Sequence, residues 1–173
     1  ATAKVFDADS KLIATLEDEG NVAVREPFAV FDLRKFDGKP HFVALTLEIG
    51  ETVVDNFYCI AAKDNVYAWG DSNWYILPIS EYSDLRFAFS GAPREIETKV
   101  KGTEEGICVT VTNRSDVISY MNILKLKDDN GELIIPAFWS DNFFPLLPGQ
   151  SKTVECRFCK ENCKNFKVET ISK

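Results

Sequence analysis

Apolar and polar side chains alternate along most of this chain, with the period of two that a half-buried β-strand requires. The clearest example is the segment His41–Ile49, in which Val43, Leu45 and Leu47 share one face. A glycine turn separates this segment from a second one, Thr52–Ile60, with similar β character. We therefore predict that these two segments form a β-hairpin.

The same reading along the rest of the chain predicts further short strands separated by Gly, Pro and Asn turns. No stretch shows a convincing ten-residue helical period, which favours an all-β fold built from β-sandwiches. The Ser90-Gly91-Ala92-Pro93 sequence is a plausible linker, so we expect two domains, residues 1–92 and 93–173. The further predicted strands are Thr2–Phe6, Leu12–Leu16, Asn21–Arg25, Phe28–Leu33, Arg94–Val100, Gly106–Asn113, Val117–Lys127, Glu132–Phe138, Lys152–Phe158 and Phe166–Ile171.

Composition narrows the classes of partner. The 173 residues are 45% apolar and 27% charged, and the formal net charge is −7. Because no basic patch outweighs the acids, we predict neither a nucleic-acid partner nor an anionic membrane surface. No apolar run approaches the ~18 residues of a membrane-spanning helix. No signal peptide or initiator Met is visible, so we expect a fragment or a processed product.

The chain offers little for catalysis. A Ser-His-Asp relay needs a histidine, and His41 is the only one; it begins a strand on the face of Val43 and Leu45. We predict that it packs against its neighbours. A retaining glycosidase needs two carboxyl groups ~5 Å apart, and the sequence singles out no such pair. We therefore assign no catalytic residue.

Three of the five cysteines are candidate metal ligands, because Cys156, Cys159 and Cys163 have the C-x2-C-x3-C spacing of some thiolate clusters. With Cys108 as a fourth ligand they could bind a metal, and a Cys159–Cys163 disulfide is a further alternative. Cys156, however, alternates with two apolar neighbours on a strand, the pattern of a small buried side chain. We favour that interpretation and predict neither a metal site nor a cofactor.

One tripeptide, Asn113-Arg114-Ser115, matches the acceptor pattern for N-linked glycosylation. A single match to so short a pattern is weak, and we give it no weight.

Aromatic side chains are the remaining candidates for binding. In one hypothesis they form a platform that stacks on sugar rings; in the other they fill the sandwich cores or the seam between domains. Trp69, Trp74 and Tyr75 lie in an irregular segment and are the candidate glycan contacts. Buried tryptophans would favour a bracing role, whereas exposed coplanar ones would favour glycan binding. The other aromatics considered are Trp139, Phe143 and Phe144.

Three stretches resemble the C-terminal immunoglobulin-like domains of family 2 glycoside hydrolases of the β-mannosidase and exo-β-glucosaminidase type. They are Asp55-Asn56-Phe57-Tyr58, Val109-Thr110-Val111-Thr112-Asn113, and the run from Asp141-Asn142-Phe143-Phe144 to Leu146-Leu147-Pro148-Gly149-Gln150. Phe143 stands where the family typically has Tyr, and Gln150 where it has Glu. The resemblance implies two tandem immunoglobulin-like β-sandwich domains, the first of them short at its N-terminus.

The resemblance also implies a function. The parent enzyme would hydrolyse β-linked mannosides or glucosaminides through a barrel with two catalytic glutamates, and that barrel has no counterpart here. This chain would be a non-catalytic accessory region whose partners are the catalytic barrel and other domains of the parent enzyme, with an oligosaccharide as a further candidate. A periplasmic or secreted location follows only by family analogy. The alternatives are a stand-alone glycan-binding module and an unrelated adhesion or interaction sandwich.

Overall fold

The computed structural model describes residues 1–21, 31–159 and 165–172. Regular structure in these residues consists of β-strands and short 3-10 helices, which confirms the all-β prediction. The chain divides into two compact units, Ala1–Phe89 and Ser90–Lys173, which are described separately. Of the predicted strands Asn21–Arg25 and Phe28–Leu33, residues 22–25 and 28–30 lie outside the described residues, and residues 31–33 form no strand. No helix among the described residues is long and apolar enough to cross a membrane.

Unit 1 is built on an antiparallel sheet of four strands in the order β2-β1-β3-β4. The predicted hairpin is confirmed with its bounds unchanged, and Leu47 lies opposite Val54 across it. Val43 also lies opposite Val5 of β1, so apolar side chains line one face of the sheet across three strands. The four strands are β1 (Thr2–Asp7), β2 (Leu12–Glu17), β3 (His41–Ile49) and β4 (Thr52–Ile60).

The other face of this sheet is covered by aromatic side chains. Phe42 of β3 is fully buried, and its ring lies 5.7 Å from that of Phe57 and 5.0 Å from that of Phe87. Phe87 belongs to the 3-10 helix Arg86–Phe89 at the end of the unit. Burying a phenylalanine side chain contributes about 1.5–3 kcal/mol. The Phe42 contacts therefore attach the end of the unit to its sheet.

The segment between the sheet and this helix has little regular structure, as the sequence predicts. It contains the short paired strands β5 (Val66–Tyr67) and β6 (Ile79–Glu81) and the 3-10 helix Trp69–Asp71. A further 3-10 helix, Arg34–Phe36, precedes β3.

Unit 2 is a two-sheet sandwich. One sheet has the order β10-β12-β8-β7 and the other the order β11-β9-β13. The hydroxyl groups of Thr98 and Thr170 meet at 2.8 Å and join the two sheets at one side. The strands are β7 (Ile96–Gly102), β8 (Gly106–Asn113), β9 (Ser119–Lys127), β10 (Ala137–Trp139), β11 (Phe144–Leu146), β12 (Ser151–Phe158) and β13 (Lys167–Ser172).

The core of unit 2 follows the alternation of its strands. Every second residue of β8 and β12 points inward, and β9 and β11 supply the facing side chains. Cys156 is one of these buried residues, as predicted, and burial raises the pKa of its thiol to about 11. The core residues are Ile107, Val109, Val111, Leu124, Leu126, Phe144, Leu146, Val154, Cys156 and Phe158.

The predicted strand Glu132–Phe138 is wrong for most of its length, because β10 covers only Ala137–Trp139. The chain after the Asp128–Gly131 turn is instead attached to β9 by single bonds, such as that from the Ile134 amide to the Leu126 carbonyl, 3.0 Å. Pro136, which has no amide hydrogen, then interrupts any continuous ladder. The three-residue strand β11 was not predicted, since its middle residue is also a proline.

Candidate functional site

The three candidate glycan contacts all lie in residues 66–89 of unit 1, which we call the aromatic segment. The structure leaves them exposed: Trp74 to 92% of its full surface, Trp69 to 69% and Tyr75 to 68%. They belong to a larger set of exposed apolar side chains in the same segment. That set is Val66, Tyr67, Trp69, Trp74, Tyr75, Ile76, Leu77, Tyr82, Leu85 and Phe89.

Local hydrogen bonds hold the loop that carries Trp69 and Trp74. The amide of Ala68 donates to the carbonyl of Pro78 at 2.9 Å and closes the loop at its base. Near the tip, the Asn73 side-chain oxygen accepts from the amides of Tyr75 (3.2 Å) and Ile76 (3.0 Å). An Asn side chain that caps amides two and three residues ahead replaces a backbone turn bond. The aromatic rings are therefore presented by an ordered turn.

The rings do not lie in one plane. Trp74 and Tyr75 are 4.7 Å apart between ring centroids, with an interplanar angle of 86°. Tyr67 and Trp69 are 5.9 Å apart and inclined at 51°. Trp69 and Trp74 are therefore both exposed, and each is inclined to the tyrosine beside it.

Two hollows open on the surface of this part of unit 1. The first has a volume of about 480 Å³ and the second about 430 Å³, and both are bordered by Ser83 and Leu85. The first is lined chiefly by Cys59, Asp64, Asn65, Tyr67, Ser83 and Leu85. The second is lined by Tyr82, Ser83, Asp84, Leu85, Arg86 and Phe89.

The electrostatics of these hollows do not suit acid–base catalysis. Arg86 donates to both carboxylate oxygens of Asp84, at 2.9 and 2.6 Å, and this pairing lowers the pKa of Asp84 to about 2. A catalytic proton donor requires a pKa raised toward neutrality instead. Burial raises the pKa of the Cys59 thiol to about 11, which keeps it protonated and weakly nucleophilic.

The other aromatic candidates lie in unit 2 and are not brought together as one surface. Phe144 is buried in the core, and Trp139 is partly buried against it. Phe143 is exposed and has a positive φ of 60°. For Phe144 and Trp139, filling of the core is therefore the correct interpretation.

His41 is buried, as predicted for a packed strand-end residue. Its Nδ1 lies 2.8 Å from the Lys39 carbonyl and its ring 5.9 Å from that of Phe36. Its Nε2 has no hydrogen-bond partner among the described residues. No serine is hydrogen-bonded to it in that part of the chain, so a nucleophilic relay does not form there.

The cysteines give no metal centre in the part of the chain that the structure describes. Among the described residues, Cys59, Cys108, Cys156 and Cys159 form no disulfide with one another. Cys163, and with it the alternative of a Cys159–Cys163 disulfide, lies outside the described residues.

Tyr67, Tyr82 and the two hollows that they border are not among the sequence-based predictions. A signal was present, because residues 66–89 contain four charged residues among an unusual number of aromatic and aliphatic ones. The sequence-based prediction uses only the tryptophans and Tyr75 of this segment, because its pattern is irregular.

Comparison with known proteins agrees with the resemblance seen in the sequence. The sequence model described as the exo-β-D-glucosaminidase Ig-fold domain matches residues 74–172. The exo-β-D-glucosaminidase of Streptomyces avermitilis is 29% identical over 119 residues, which are 65% of this chain and 13% of that protein. That of Hypocrea jecorina is 26% identical over 165 residues, 88% of this chain and 18% of that protein.

Solved structures show the same fold. The crystal structure of the Amycolatopsis orientalis exo-chitosanase CsxA aligns with 99% of this chain and 23% of its own, with a TM-score of 0.68 and 20% identity. Its complex with PNP-β-D-glucosamine aligns over the same shares with a TM-score of 0.67. The immunoglobulin-like β-sandwich class is thereby confirmed.

The chain spans between about an eighth and a fifth of the length of the curated relatives that it matches. Of the two enzyme types that the three short stretches resemble, the exo-β-glucosaminidase type is confirmed. The chain belongs to the family of exo-β-D-glucosaminidase Ig-fold domains.

Proposed function

We propose that this chain is a non-catalytic accessory region of a longer glycoside hydrolase that acts on β-linked glucosaminides. The observation that carries the proposal is the family match over residues 74–172, together with relatives that are named exo-β-D-glucosaminidases and are five to eight times longer than the matched region.

Two physical arguments support a role outside catalysis. A catalytic (β/α)8 barrel alone takes ~250 residues, more than the whole chain, and the described fold is all-β. Asp84, which lines the second hollow, is paired with Arg86, and this pairing lowers the pKa of its carboxyl group. A retaining glycosidase needs a carboxylic acid that stays protonated near neutral pH.

Within the longer enzyme, we propose that the chain packs against the catalytic barrel and other domains. Unit 1 supports this proposal, because its sheet leaves apolar side chains exposed at one end, among them Leu47, Ile49 and Val54. Apolar side chains grouped on a surface commonly mark a protein interface.

A second candidate function is glycan binding through Trp69, Trp74 and Tyr75. Their exposure favours it, since an exposed ring can stack on the apolar face of a pyranose. The angle of 86° between Trp74 and Tyr75 argues against a flat platform.

The test uses a β-glucosaminide that releases a chromophore on hydrolysis. We expect no turnover by the chain alone, and turnover by the longer protein that contains it. A version of the longer protein that lacks this region should unfold at a lower temperature, because apolar surface that it covers becomes exposed. Turnover by the chain alone, or an inactive longer protein, would contradict the proposal.

A further inference from the structure

We propose that the aromatic segment, residues 66–89, is the surface through which unit 1 docks on the catalytic domain of the same polypeptide. This inference rests on the proposed function and names the residues that make the contact. It assigns to a protein partner the side chains that the sequence offered as glycan contacts.

The first argument is composition. Ten large apolar side chains of the segment are exposed. Its charged residues are Asp71, Glu81, Asp84 and Arg86, and the last two neutralise each other as an ion pair. The centre of a protein interface is enriched in aromatic residues and depleted of charge, and the rim is polar. Asp71 and Glu81 therefore leave the segment acidic, which favours a partner surface that carries basic groups.

The second argument is that the segment is organised before it meets a partner. The bond from the Ala68 amide to the Pro78 carbonyl and the Asn73 turn fix the loop with Trp69 and Trp74. Asn65 fixes the opposite side by accepting from the Ser83 amide at 2.7 Å. A surface that is already ordered loses little conformational entropy on docking.

The third argument is shape. The two hollows share a border at Leu85, and Tyr67, Tyr82 and Phe89 form apolar parts of their walls. Binding energy in protein interfaces concentrates where anchor side chains enter such pockets. Volumes of about 480 and 430 Å³ leave room for large side chains of a partner.

The fourth argument decides between a protein and a sugar. A sugar platform needs rings that face the same way, and the neighbouring rings here are inclined at 86° and 51°. Aliphatic side chains such as Ile76 and Leu77 are exposed beside them and offer no ring to stack on a pyranose. Mixed aromatic and aliphatic side chains at several angles suit an irregular protein surface.

The choice of the catalytic domain follows from chain length. The matched region is 12–18% of the relatives' length, so most of each polypeptide is other structure. Domains joined by one chain meet at effective concentrations in the millimolar range, far above those of a free partner. An apolar surface held at such a concentration near a large domain is occupied by that domain.

The experiment compares amide hydrogen exchange of residues 66–89 in the isolated chain and in the longer protein that contains it. Docking predicts that exchange in the segment is slowed about tenfold or more in the longer protein. Glucosamine oligosaccharide added to the isolated chain should leave the exchange unchanged.

A double variant, Trp74→Ala with Tyr82→Ala, provides the second readout. It should abolish most of the added protection and lower the Tm of the longer protein, while the Tm of the isolated chain stays within about 2 °C, as for surface changes. Phe138→Ala, at an exposed position of unit 2, is the matched control and should leave both proteins unchanged.

Each outcome bears on one proposal. Equal exchange in the two proteins, with glucosaminide hydrolysis present in the longer one, would overturn the docking surface and leave the proposed function standing. Absence of hydrolysis would contradict the proposed function. Saturable protection by the oligosaccharide in the isolated chain would overturn docking in favour of a glycan site.

Discussion

Replacing Asn113 by alanine should strongly destabilise unit 2, because this fully buried side chain joins three parts of the sandwich. Its amide nitrogen donates to the carbonyl of Val117 at 2.8 Å and to that of Leu146 at 3.1 Å. Its side-chain oxygen accepts from the amide of Ser115 at 3.1 Å and also from the Ser115 hydroxyl. One side chain thus links the end of β8 to the following turn and to β11.

The magnitude follows from these bonds. Alanine leaves two carbonyls and one amide hydrogen without their partner, and each such loss costs about 1 kcal/mol net. We therefore expect the free energy of unfolding to fall by about 3 kcal/mol. In a unit of this size, 1 kcal/mol corresponds to about 4–8 °C in Tm, so the transition should fall by about 12–24 °C.

Fluorescence can isolate this transition. The chain has three tryptophans, and in a background with Trp69→Phe and Trp74→Phe only Trp139 of unit 2 remains. Urea and thermal unfolding followed at Trp139 then report on unit 2.

The control is Asn130→Ala, in the exposed Asp128–Gly131 turn, which should change stability by less than about 0.5 kcal/mol. A loss below about 1 kcal/mol for Asn113→Ala would refute the reasoning, since it would mean that the amide bonds contribute almost nothing.

Three further predictions concern unit 2. A Cβ at Gly106 would lie 1.9 Å from the Cys156 carbonyl oxygen, so Gly106→Ala should cost about 3 kcal/mol or more in urea unfolding, whereas Gly102→Ala, in open space, should cost less than about 1. Under reducing conditions at about pH 8, iodoacetamide should modify the exposed Cys159 well before Cys156, whose burial raises its pKa to about 11; equal rates in peptide mapping would contradict this. The side-chain amide of Asn113 is buried and hydrogen-bonded, so the folded chain from a glycosylating host should carry no glycan on Asn113. A glycopeptide that contains Asn113, found in the folded fraction, would contradict this prediction.

The family resemblance has a structural basis in these amide side chains. Asn142, in the third matching stretch, donates to the Leu124 carbonyl at 2.9 Å and accepts from the Leu124 amide at 2.8 Å. Asn113 ends the second stretch, and Gln150 ends the third, where its side-chain oxygen accepts from the Leu147 amide at 2.9 Å. The motifs that identified the family therefore mark where loops are attached to the sandwich.

Features of the fold that depend only on neighbouring residues can be predicted from the sequence pattern. Alternation places every second side chain of β3 and β8 on one face, whatever lies opposite, and glycine and proline turns set where these strands end. The bounds His41–Ile49, Thr52–Ile60 and Gly106–Asn113 were therefore predicted without error.

Which aromatic side chains are buried, and which remain on the surface, depends on the tertiary structure. Phe143 and Phe144 are adjacent in sequence, yet one is exposed and the other lies in the core, because the turn at Asn142 directs only Phe144 toward β9. In the aromatic segment, the bond from the Ala68 amide to the Pro78 carbonyl closes the loop that presents Trp69 and Trp74. Burial depends on residues that are distant in sequence, and no local pattern records them.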